Sequence, residues 1–356
     1  MTGLLGHDLG LRPHTDALDG VPRTDDPQKA KDFTSDQEVR WCPGCGDYVI
    51  LATVRSLLPE LGVRRENIVF VSGIGCSSRF PYYLDTYGVH SIHGRAPTLA
   101  TGLAVTRPDL SVWVVTGDGD ALSIGGNHLV HALRRNVNMR ILLFNNRIYG
   151  LTKGQYSPTS EVGKVTKSSP GGSVDAPFNT LSLALGAEAS FVARALDSDR
   201  AGLTEVLRAA AHHRGAAFVE ILQDCPIFND GSFDVLRKDE APSHLIPLRH
   251  GEPIIFGVDD ERCVVRKGFG LRVAQRSEVD AADIVVHDAH TDDPGYAYAL
   301  SRLSDQDLRY VVTGIVRQVG RTTYDDAERA RVRTARESGT ADLQQLLRGD
   351  NTWTVP

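Results

Sequence analysis

The sequence lacks any run of about eighteen apolar residues, the length that a membrane-spanning helix needs. Its N-terminus also lacks the basic start and the continuous apolar core of a secretory signal peptide. We therefore expect a cytoplasmic protein with no membrane partner.

The sequence has no excess of positive charge either. Lys and Arg number 39 against 45 Asp and Glu, which gives a formal net charge of −6. This charge balance does not predict a nucleic-acid partner, because binding of nucleic acids usually requires basic patches on the protein surface. The 356 residues include 41% hydrophobic residues and 34 glycines, as expected for an α/β protein rich in loops.

Cysteine is scarce, and its five copies argue against a disulfide framework in a cytoplasmic chain. Four of them lie among Gly, Pro and Ser in the segments WCPGCG, SGIGCSSR and QDCP, where backbone N–H groups can face sulfur. These four are Cys42, Cys45, Cys76 and Cys225. Cys263, in DDERCVVRKG, has no such setting, and we interpret it as a packing residue.

Apolar patterns predict alternating helices and strands between residues 37 and 229. The predicted helices cover 46–61, 124–135, 178–186 and 199–213, and the predicted strands cover 68–73, 111–116, 140–144, 190–194 and 217–222. Such alternation is typical of an α/β fold with a doubly wound parallel sheet. Residues 147–177 form a long loop with few apolar residues, and long loops inside compact domains are usually functional.

The two flanks have a different character. Residues 1–36 are polar and aperiodic, and we predict an N-terminal extension that is partly disordered. Residues 230–356 begin as a charged, proline-punctuated stretch, followed by a strand-like segment at 254–258 and a helix near 297–303. We predict an appended C-terminal segment that contacts a partner subunit.

The most informative segment joins two predicted strands. Asp118 follows the apolar run SVWVVT, and Asn145 and Asn146 follow the run RILLF. Successive parallel strands present such residues at the edge where open α/β sheets bind ligands. Carboxylate and amide oxygens suit Mg²⁺, which shares its remaining positions with substrate phosphates. Gly117 and Gly119 let the backbone approach a phosphate closely. The pattern, GDG followed by NN after 25 intervening residues, resembles the thiamine diphosphate motif.

The four cysteines in turn-rich segments predict a metal site of undecided type. A structural zinc site would use two C-x2-C knuckles, and the second knuckle is missing here. Four thiolates gathered from three loops could hold zinc or a [4Fe–4S] cluster. Their spacing does not choose between the two.

Together, these motifs resemble one protein family. WCPGCG, SGIGCSSR, HSIHGRA, GDGD…NN, IYGLTKGQYSPTS and QDCP are similar to the β subunit of the 2-oxoacid:ferredoxin oxidoreductases, most of all the 2-oxoglutarate type. The similarity runs from about Glu38 to Phe228 in unbroken order and continues more weakly through HGEPIIFG and VVHDAHTDDPGYAYALSRL. It implies the thiamine-diphosphate-binding fold of the diphosphate type.

The resemblance implies roles for individual residues. Cys42, Cys45, Cys76 and Cys225 fall on the family's cluster ligands. Asp118 and Asn146 fall on its Mg²⁺ side-chain ligands, with the backbone carbonyl of Ile148 as the third ligand. The implied cofactor-binding residues are Ile74, Gly75, Cys76, Ser77, His93, Gly94, Arg95, Gly117, Asp118, Gly119, Asp120, Asn146, Ile148, Gly150, Leu151 and Thr152.

Two further residues are implied to bind the carboxylates of the substrate. Lys153, in LTKGQ, lies where the family places a cation near the distal end of the substrate. Arg79 occupies a position that is often Lys, and we assign it the same kind of role, since a guanidinium suits carboxylates.

The implied reaction is the oxidative decarboxylation of 2-oxoglutarate with coenzyme A, giving succinyl-CoA, CO₂ and reduced ferredoxin. The resemblance also implies an α subunit, which supplies the pyrimidine half of the active site and most of the CoA site. Three alternatives remain open at this point. They are a subunit that uses pyruvate or another 2-oxoacid, a non-redox thiamine diphosphate enzyme, and a zinc-stabilised binding module.

Overall fold

The computed structural model describes residues 16–304, 307–339 and 342–355. Its strands are β1 (Ile68–Ser72), β2 (Tyr87–His90), β3 (Ser111–Gly117), β4 (Met139–Asn145), β5 (Phe191–Leu196), β6 (Ala216–Leu222), β7 (Leu245–Leu248), β8 (Ile255–Phe256), β9 (Arg262–Lys267), β10 (Gly270–Gln275) and β11 (Val311–Gln318). Its α-helices are α1 (Asp47–Leu57), α2 (Ala96–Thr106), α3 (Asp118–Leu122), α4 (Gly126–Arg134), α5 (Thr180–Gly186), α6 (Arg200–His212), α7 (Ala241–His244), α8 (Pro294–Ser301), α9 (Tyr324–Glu337) and α10 (Leu343–Arg348).

Eight strands form the main sheet, in the order β2-β1-β3-β4-β6-β5-β11-β7. Neighbouring strands are parallel, except that β11 runs antiparallel to β5. All residues of β1, β4, β5 and β6 are buried. Strands covered on both faces by helices read as continuous apolar runs, which is why the sequence reveals them. The predicted α/β class with a mostly parallel sheet is confirmed.

The two faces of the sheet carry separate cores, because successive side chains of a strand point to opposite sides. Val112 and Val114 of β3 belong to the core formed with α2, α4, α5 and α8. Trp113 and Val115 of the same strand pack with α1 and α6 on the other face. The sheet is therefore sandwiched between two helix layers.

The C-terminal segment contributes two strands to the main sheet. β7 and β11 complete the main sheet, and β11 pairs with β5 on one side and with β7 on the other. The segment that we predicted as appended therefore also extends the main sheet, and the predicted domain boundary at residue 230 stays a prediction. Contacts of this segment with a partner subunit stay a prediction.

A second, three-stranded sheet in the order β10-β9-β8 lies in the same C-terminal segment. Cys263 lies in β9, where it is fully buried with Val265, Ala274 and Ile284. Of the helices in the described residues, none combines the length and the apolar content that crossing a membrane requires.

The described part of the N-terminal extension packs against the body of the protein. Leu18 and Phe33 are buried, and the backbone N–H of Ala17 donates to the carbonyl of His212 at 3.0 Å. The rest of the extension, residues 1–15, lies outside the described residues, so the predicted partial disorder stays a prediction there.

Candidate functional site

The parallel strands bring the predicted site residues to one edge of the sheet. β1, β3, β4 and β6 are neighbours, and the loops that follow them carry Cys76, Asp118, Asn146 and Cys225 respectively. Because parallel strands end on the same side, segments about 150 residues apart in sequence meet here. The edge gathers both the diphosphate motif and the cysteine-bearing loops.

Asp118 begins α3 and is buried. The hydroxyl groups of Ser157 and Thr159 both approach its Oδ2, each at 2.6 Å. Burial raises the pKa of Asp118 to about 6, and these hydrogen bonds partly oppose the rise. A buried carboxylate of this kind is ready for a cation, since a bound metal supplies the compensating charge.

Asn145 and Asn146, at the end of β4, have different hydrogen-bond partners. Oδ1 of Asn145 accepts a hydrogen bond from the backbone N–H of Arg147 at 3.1 Å, and the Thr159 hydroxyl oxygen lies 2.8 Å from the same atom. Asn146 is half-buried, and its Oδ1 accepts from the N–H of Ile148 at 3.2 Å. The amide oxygen of Asn146 therefore lies in the same turn as the carbonyl of Ile148.

Asp120 joins three segments of the site. Its Oδ1 accepts hydrogen bonds from the N–H groups of Ile74 at 3.1 Å and Gly94 at 2.7 Å, and it also contacts the His93 ring. Its Oδ2 accepts from Thr116 at 2.7 Å. The carboxylate is buried and surrounded by protein groups. Asp120 therefore fixes the loops that carry the predicted cofactor residues.

Gly119 has a steric reason for being glycine. A Cβ atom at this position would lie 2.2 Å from a ring carbon of Tyr149, far inside contact distance. The Tyr149 hydroxyl donates to the Gly119 carbonyl at 3.0 Å. The tyrosine thus holds the GDGD turn against the loop that follows β4.

Two of the three cysteine loops meet at Gly150. A Cβ atom built there would lie 3.6 Å from the sulfur of Cys76 and 3.6 Å from the sulfur of Cys225. The electrostatic partners of these thiols include Cys42 and Cys45, so all four share one neighbourhood. Gly150 belongs to the loop that also carries the predicted cofactor contacts, so Cys76 and Cys225 adjoin the predicted diphosphate site.

The four thiols differ in exposure but share an electrostatic setting. Cys42 is exposed, Cys45 and Cys225 are buried, and Cys76 lies between. Burial, the negative charge of Asp47 and the neighbouring thiols raise the pKa of Cys76 to about 12, and burial likewise raises the pKa of Cys45 and Cys225. Bound metal removes such protons outright. Within the described ranges, no three His, Cys, Asp or Glu side chains are arranged to hold a single metal ion.

Two side chains that the sequence did not single out tie the cysteine loops together. The indole N–H of Trp41 donates to the carbonyl of Cys76 at 2.8 Å. The amide of Gln223 donates to the sulfur of Cys45 at 3.2 Å. Trp41 directly precedes Cys42, and Gln223 lies two residues before Cys225. This closeness in sequence is the one signal that could have indicated their role.

The predicted substrate residues lie nearer the surface. Lys153 is exposed, together with Leu151 and Thr152, and has a positive φ of 76°. Arg79 is half-buried and donates to the carbonyl of Arg40 at 3.0 Å. Arg95 reaches the carbonyl of Ile124 at 3.4 Å. These cations border the site, and their roles toward a substrate stay predictions.

Comparisons with known proteins identify the family of this chain. Residues 73–221 match the family model of the thiamine pyrophosphate enzyme, C-terminal TPP binding domain. The chain is 73% identical, over all of its length and 97% of the relative, to the 2-oxoglutarate oxidoreductase subunit KorB of Mycobacterium tuberculosis. It is 45% identical to a 2-oxoacid:ferredoxin oxidoreductase subunit beta of Saccharolobus solfataricus, over 57% of this chain and 69% of that protein.

A solved structure is similar over nearly the whole fold. It is the 2-oxoglutarate:ferredoxin oxidoreductase from Magnetococcus marinus with 2-oxoglutarate, coenzyme A and succinyl-CoA bound. The TM-score is 0.73 at 34% sequence identity, and the match covers 92% of this chain and 97% of that chain. The resemblance found in the motifs is thereby confirmed, and the chain belongs to the β subunits of the 2-oxoacid:ferredoxin oxidoreductases.

Proposed function

We propose that this chain is the β subunit of a 2-oxoglutarate:ferredoxin oxidoreductase. The enzyme would convert 2-oxoglutarate, coenzyme A and oxidised ferredoxin into succinyl-CoA, CO₂ and reduced ferredoxin. One observation carries the proposal beyond the family: the sulfurs of Cys76 and Cys225 flank Gly150, in the loop that follows the predicted Mg²⁺ ligand Asn146. A diphosphate site that touches a cysteine cluster suits decarboxylation coupled to electron transfer.

The residues around Asp118 fit thiamine diphosphate and Mg²⁺. Asp118, Asn146 and the carbonyl of Ile148 would supply hard oxygen ligands, and phosphate oxygens would complete the coordination. When bound, thiamine diphosphate supplies the electron sink for decarboxylation of a 2-oxo acid. The chain itself buries the carboxylate, fixes its orientation with two hydroxyls, and holds the Gly75 and Gly94 loops in place through Asp120.

The four clustered thiols fit a [4Fe–4S] cluster. Cys42, Cys45, Cys76 and Cys225 would hold it, and a bound cluster accepts and donates single electrons. All five cysteines are free thiols, in keeping with the reducing cytoplasm where we propose that the protein acts. The chain's contribution is to bury Cys45 and Cys225 and to bring the sulfurs of Cys76 and Cys225 beside the loop of Gly150.

A partner subunit is needed because this chain provides half of the expected machinery. Activation of thiamine diphosphate requires a group that contacts its aminopyrimidine ring, normally a glutamate on a second α/β unit. The described residues contain one large sheet and one three-stranded antiparallel sheet. We propose that an α subunit supplies the pyrimidine half and most of the CoA site, and that ferredoxin docks as electron acceptor.

The substrate is proposed to be a dicarboxylate. Lys153 is an exposed cation three residues beyond Gly150, and Arg79 is a second cation beside the cysteine loops. The relatives with the highest coverage are named for 2-oxoglutarate. A pyruvate-specific enzyme would have no use for a cation at the distal end of the substrate.

Anaerobic co-purification of the chain with its partner subunit tests the proposal. Iron, zinc and thiamine diphosphate are quantified, and reduction of a viologen dye is followed after 2-oxoglutarate and coenzyme A are added. About four irons per chain and dye reduction that depends on both substrates are the expected results. A colourless, iron-free protein that binds thiamine diphosphate would favour the non-redox alternative. One zinc per chain without cofactor binding would favour the binding module.

A further inference from the structure

The loop of residues 147–177 is held mainly by buried polar side chains. Five of its residues are buried, and four of those five carry hydroxyl groups. They are Ile148, Ser157, Thr159, Ser160 and Ser173. A loop with so little buried apolar surface gains little order from the hydrophobic effect. Its position therefore depends on what those hydroxyl groups contact.

The hydroxyl groups converge on the predicted metal ligand. Ser157 and Thr159 each place Oγ atoms 2.6 Å from Oδ2 of Asp118. Hydroxyl-to-carboxylate hydrogen bonds of this length are charge-assisted and strong. Ser160 completes the anchor, because its hydroxyl donates to the carbonyl of Arg147 at 2.6 Å and accepts from the N–H of Ser157 at 2.8 Å.

Thr159 also reaches the end of β4. Its hydroxyl lies 2.8 Å from Oδ1 of Asn145, which already accepts the N–H of Arg147. A hydroxyl has one proton, so it can donate to only one of these two acceptors at a time. Asn145 has another donor, so the Thr159 proton is available for Asp118. One side chain thus connects the loop, the Asp118 turn and β4.

We propose that Thr159, supported by Ser157, is a positioning residue that couples the order of loop 147–177 to metal and cofactor binding at Asp118. This inference rests on the proposed function of the site. Two hydroxyls on one oxygen set the orientation of the carboxylate toward the metal. In return, the metal and the two hydroxyls would hold the same carboxylate, so binding at Asp118 would also hold the loop that presents Gly150 and Lys153.

The test uses the full chain co-purified anaerobically with its partner subunit and depleted of Mg²⁺ and thiamine diphosphate. Calorimetry measures Mg²⁺-dependent binding of thiamine diphosphate, and limited trypsin digestion followed by mass spectrometry measures cleavage after Lys153, Lys164 and Lys167. In the wild type, Mg²⁺ with thiamine diphosphate should slow cleavage at these sites. Thr159→Val should weaken binding by about 10- to 100-fold, as loss of outer-shell partners does, and should abolish the protection.

Matched variants separate coupling from general damage. Thr159→Ser keeps the hydroxyl and should behave as the wild type. Thr166→Val, in the same loop, loses a hydroxyl that contacts Ser168 and Ser169, and it should also behave as the wild type. If Thr159→Val fails to fold, Ser157→Ala tests the same link, because it leaves the contact between Thr159 and Asn145 in place.

Failure of the coupling and failure of the proposed function would give different results. Wild-type binding and protection in a folded Thr159→Val protein would overturn the coupling while leaving the proposed function intact. Absence of thiamine diphosphate binding in the wild-type complex would overturn the proposed function, and the coupling with it.

Discussion

At the scale of single residues, two carboxylates in the same turn have different tasks. Asp118 meets hydroxyl groups at the edge of the site, whereas Asp120 accepts backbone N–H groups from two other loops. The first is suited to a cation and the second to holding loops. The sequence GDGD shows two equivalent acids, and only their surroundings separate them.

Lys153 allows a prediction about substrate choice. Replacing it with alanine removes the cation proposed to meet the distal carboxylate of 2-oxoglutarate, a group that pyruvate lacks. We expect kcat/KM for 2-oxoglutarate to fall by about tenfold or more, which corresponds to about 1.4 kcal/mol of lost transition-state binding. Steady-state dye reduction with both substrates measures the ratio. Lys153→Arg should retain most of the preference, and an equal loss for pyruvate would contradict the assigned role.

His213 gives a prediction about pH and stability. It is buried against Phe191, and its Nε2 lies 2.7 Å from the Ser190 hydroxyl. Burial and the charge of Arg140 lower the pKa of His213 to about 3. Between that value and about 6.5, the unfolded chain binds a proton that the folded chain does not, so stability falls as the pH falls.

The expected loss of unfolding free energy from this group is about 2 kcal/mol between pH 7.5 and pH 5. Urea unfolding at the two pH values measures it. His213→Gln should show a correspondingly smaller difference between the two pH values, whatever its absolute stability. His290→Gln, at an exposed position, serves as the control and should follow the wild type. Identical pH dependence in His213→Gln and the wild type would refute the assignment.

At the scale of elements, a buried charge network crosses three adjacent strands at the site edge. Arg194 of β5 pairs with Glu220 of β6 at 2.6 Å, and Glu220 accepts from Asn145 of β4 at 2.7 Å. Burial alone would raise the pKa of Glu220, yet Arg194 and the hydrogen bonds hold it below its ordinary value. The network fixes the strand ends from which the loops of the proposed cofactor site start.

Breaking this network should be costly. Glu220→Ala leaves the buried guanidinium of Arg194 without its carboxylate, and we expect a loss of about 3–5 kcal/mol in unfolding free energy. Glu60→Ala is the matched control, because Glu60 pairs with Arg208 at 2.7 Å on the surface. That pair should contribute less than about 1 kcal/mol. Equal losses in the two variants, measured by urea unfolding, would disprove the role given to the network.

At the scale of the whole molecule, we propose that the chain presents one half of an active site at the edge where the parallel strands end. The loops at this edge carry exposed residues, among them Leu151 and Ile124, beside the buried side chain of Asp118. Such a surface is suited to completion by another chain. The proposed α subunit would cover the pyrimidine side and exclude water from the reacting atoms.

Binding measurements on the free chain and on the complex test this view. We expect thiamine diphosphate with Mg²⁺ to bind the isolated chain at least about tenfold more weakly than the complex with its partner, because the diphosphate contacts alone remain. Calorimetry on both preparations gives the two dissociation constants. Equal affinities would show that this chain holds the whole cofactor without help.

The sequence by itself determined the mostly parallel sheet, the edge at which we propose that ligands bind, and the set of four cysteines. These features depend on local patterns: apolar runs such as RILLF mark buried strands, and glycine-rich turns follow them. Family membership followed from the same motifs, because they keep their order from Glu38 to Phe228.

Only the tertiary structure decided which side chains serve those motifs. Ser157 and Thr159 reach Asp118 from 39 and 41 residues away, and β11 pairs with β5 across more than a hundred residues. No local periodicity encodes such contacts, because they depend on the path of the whole chain and on which buried polar groups need a partner. The sequence indicated the proposed ligands, and the fold determined what holds their side chains in position.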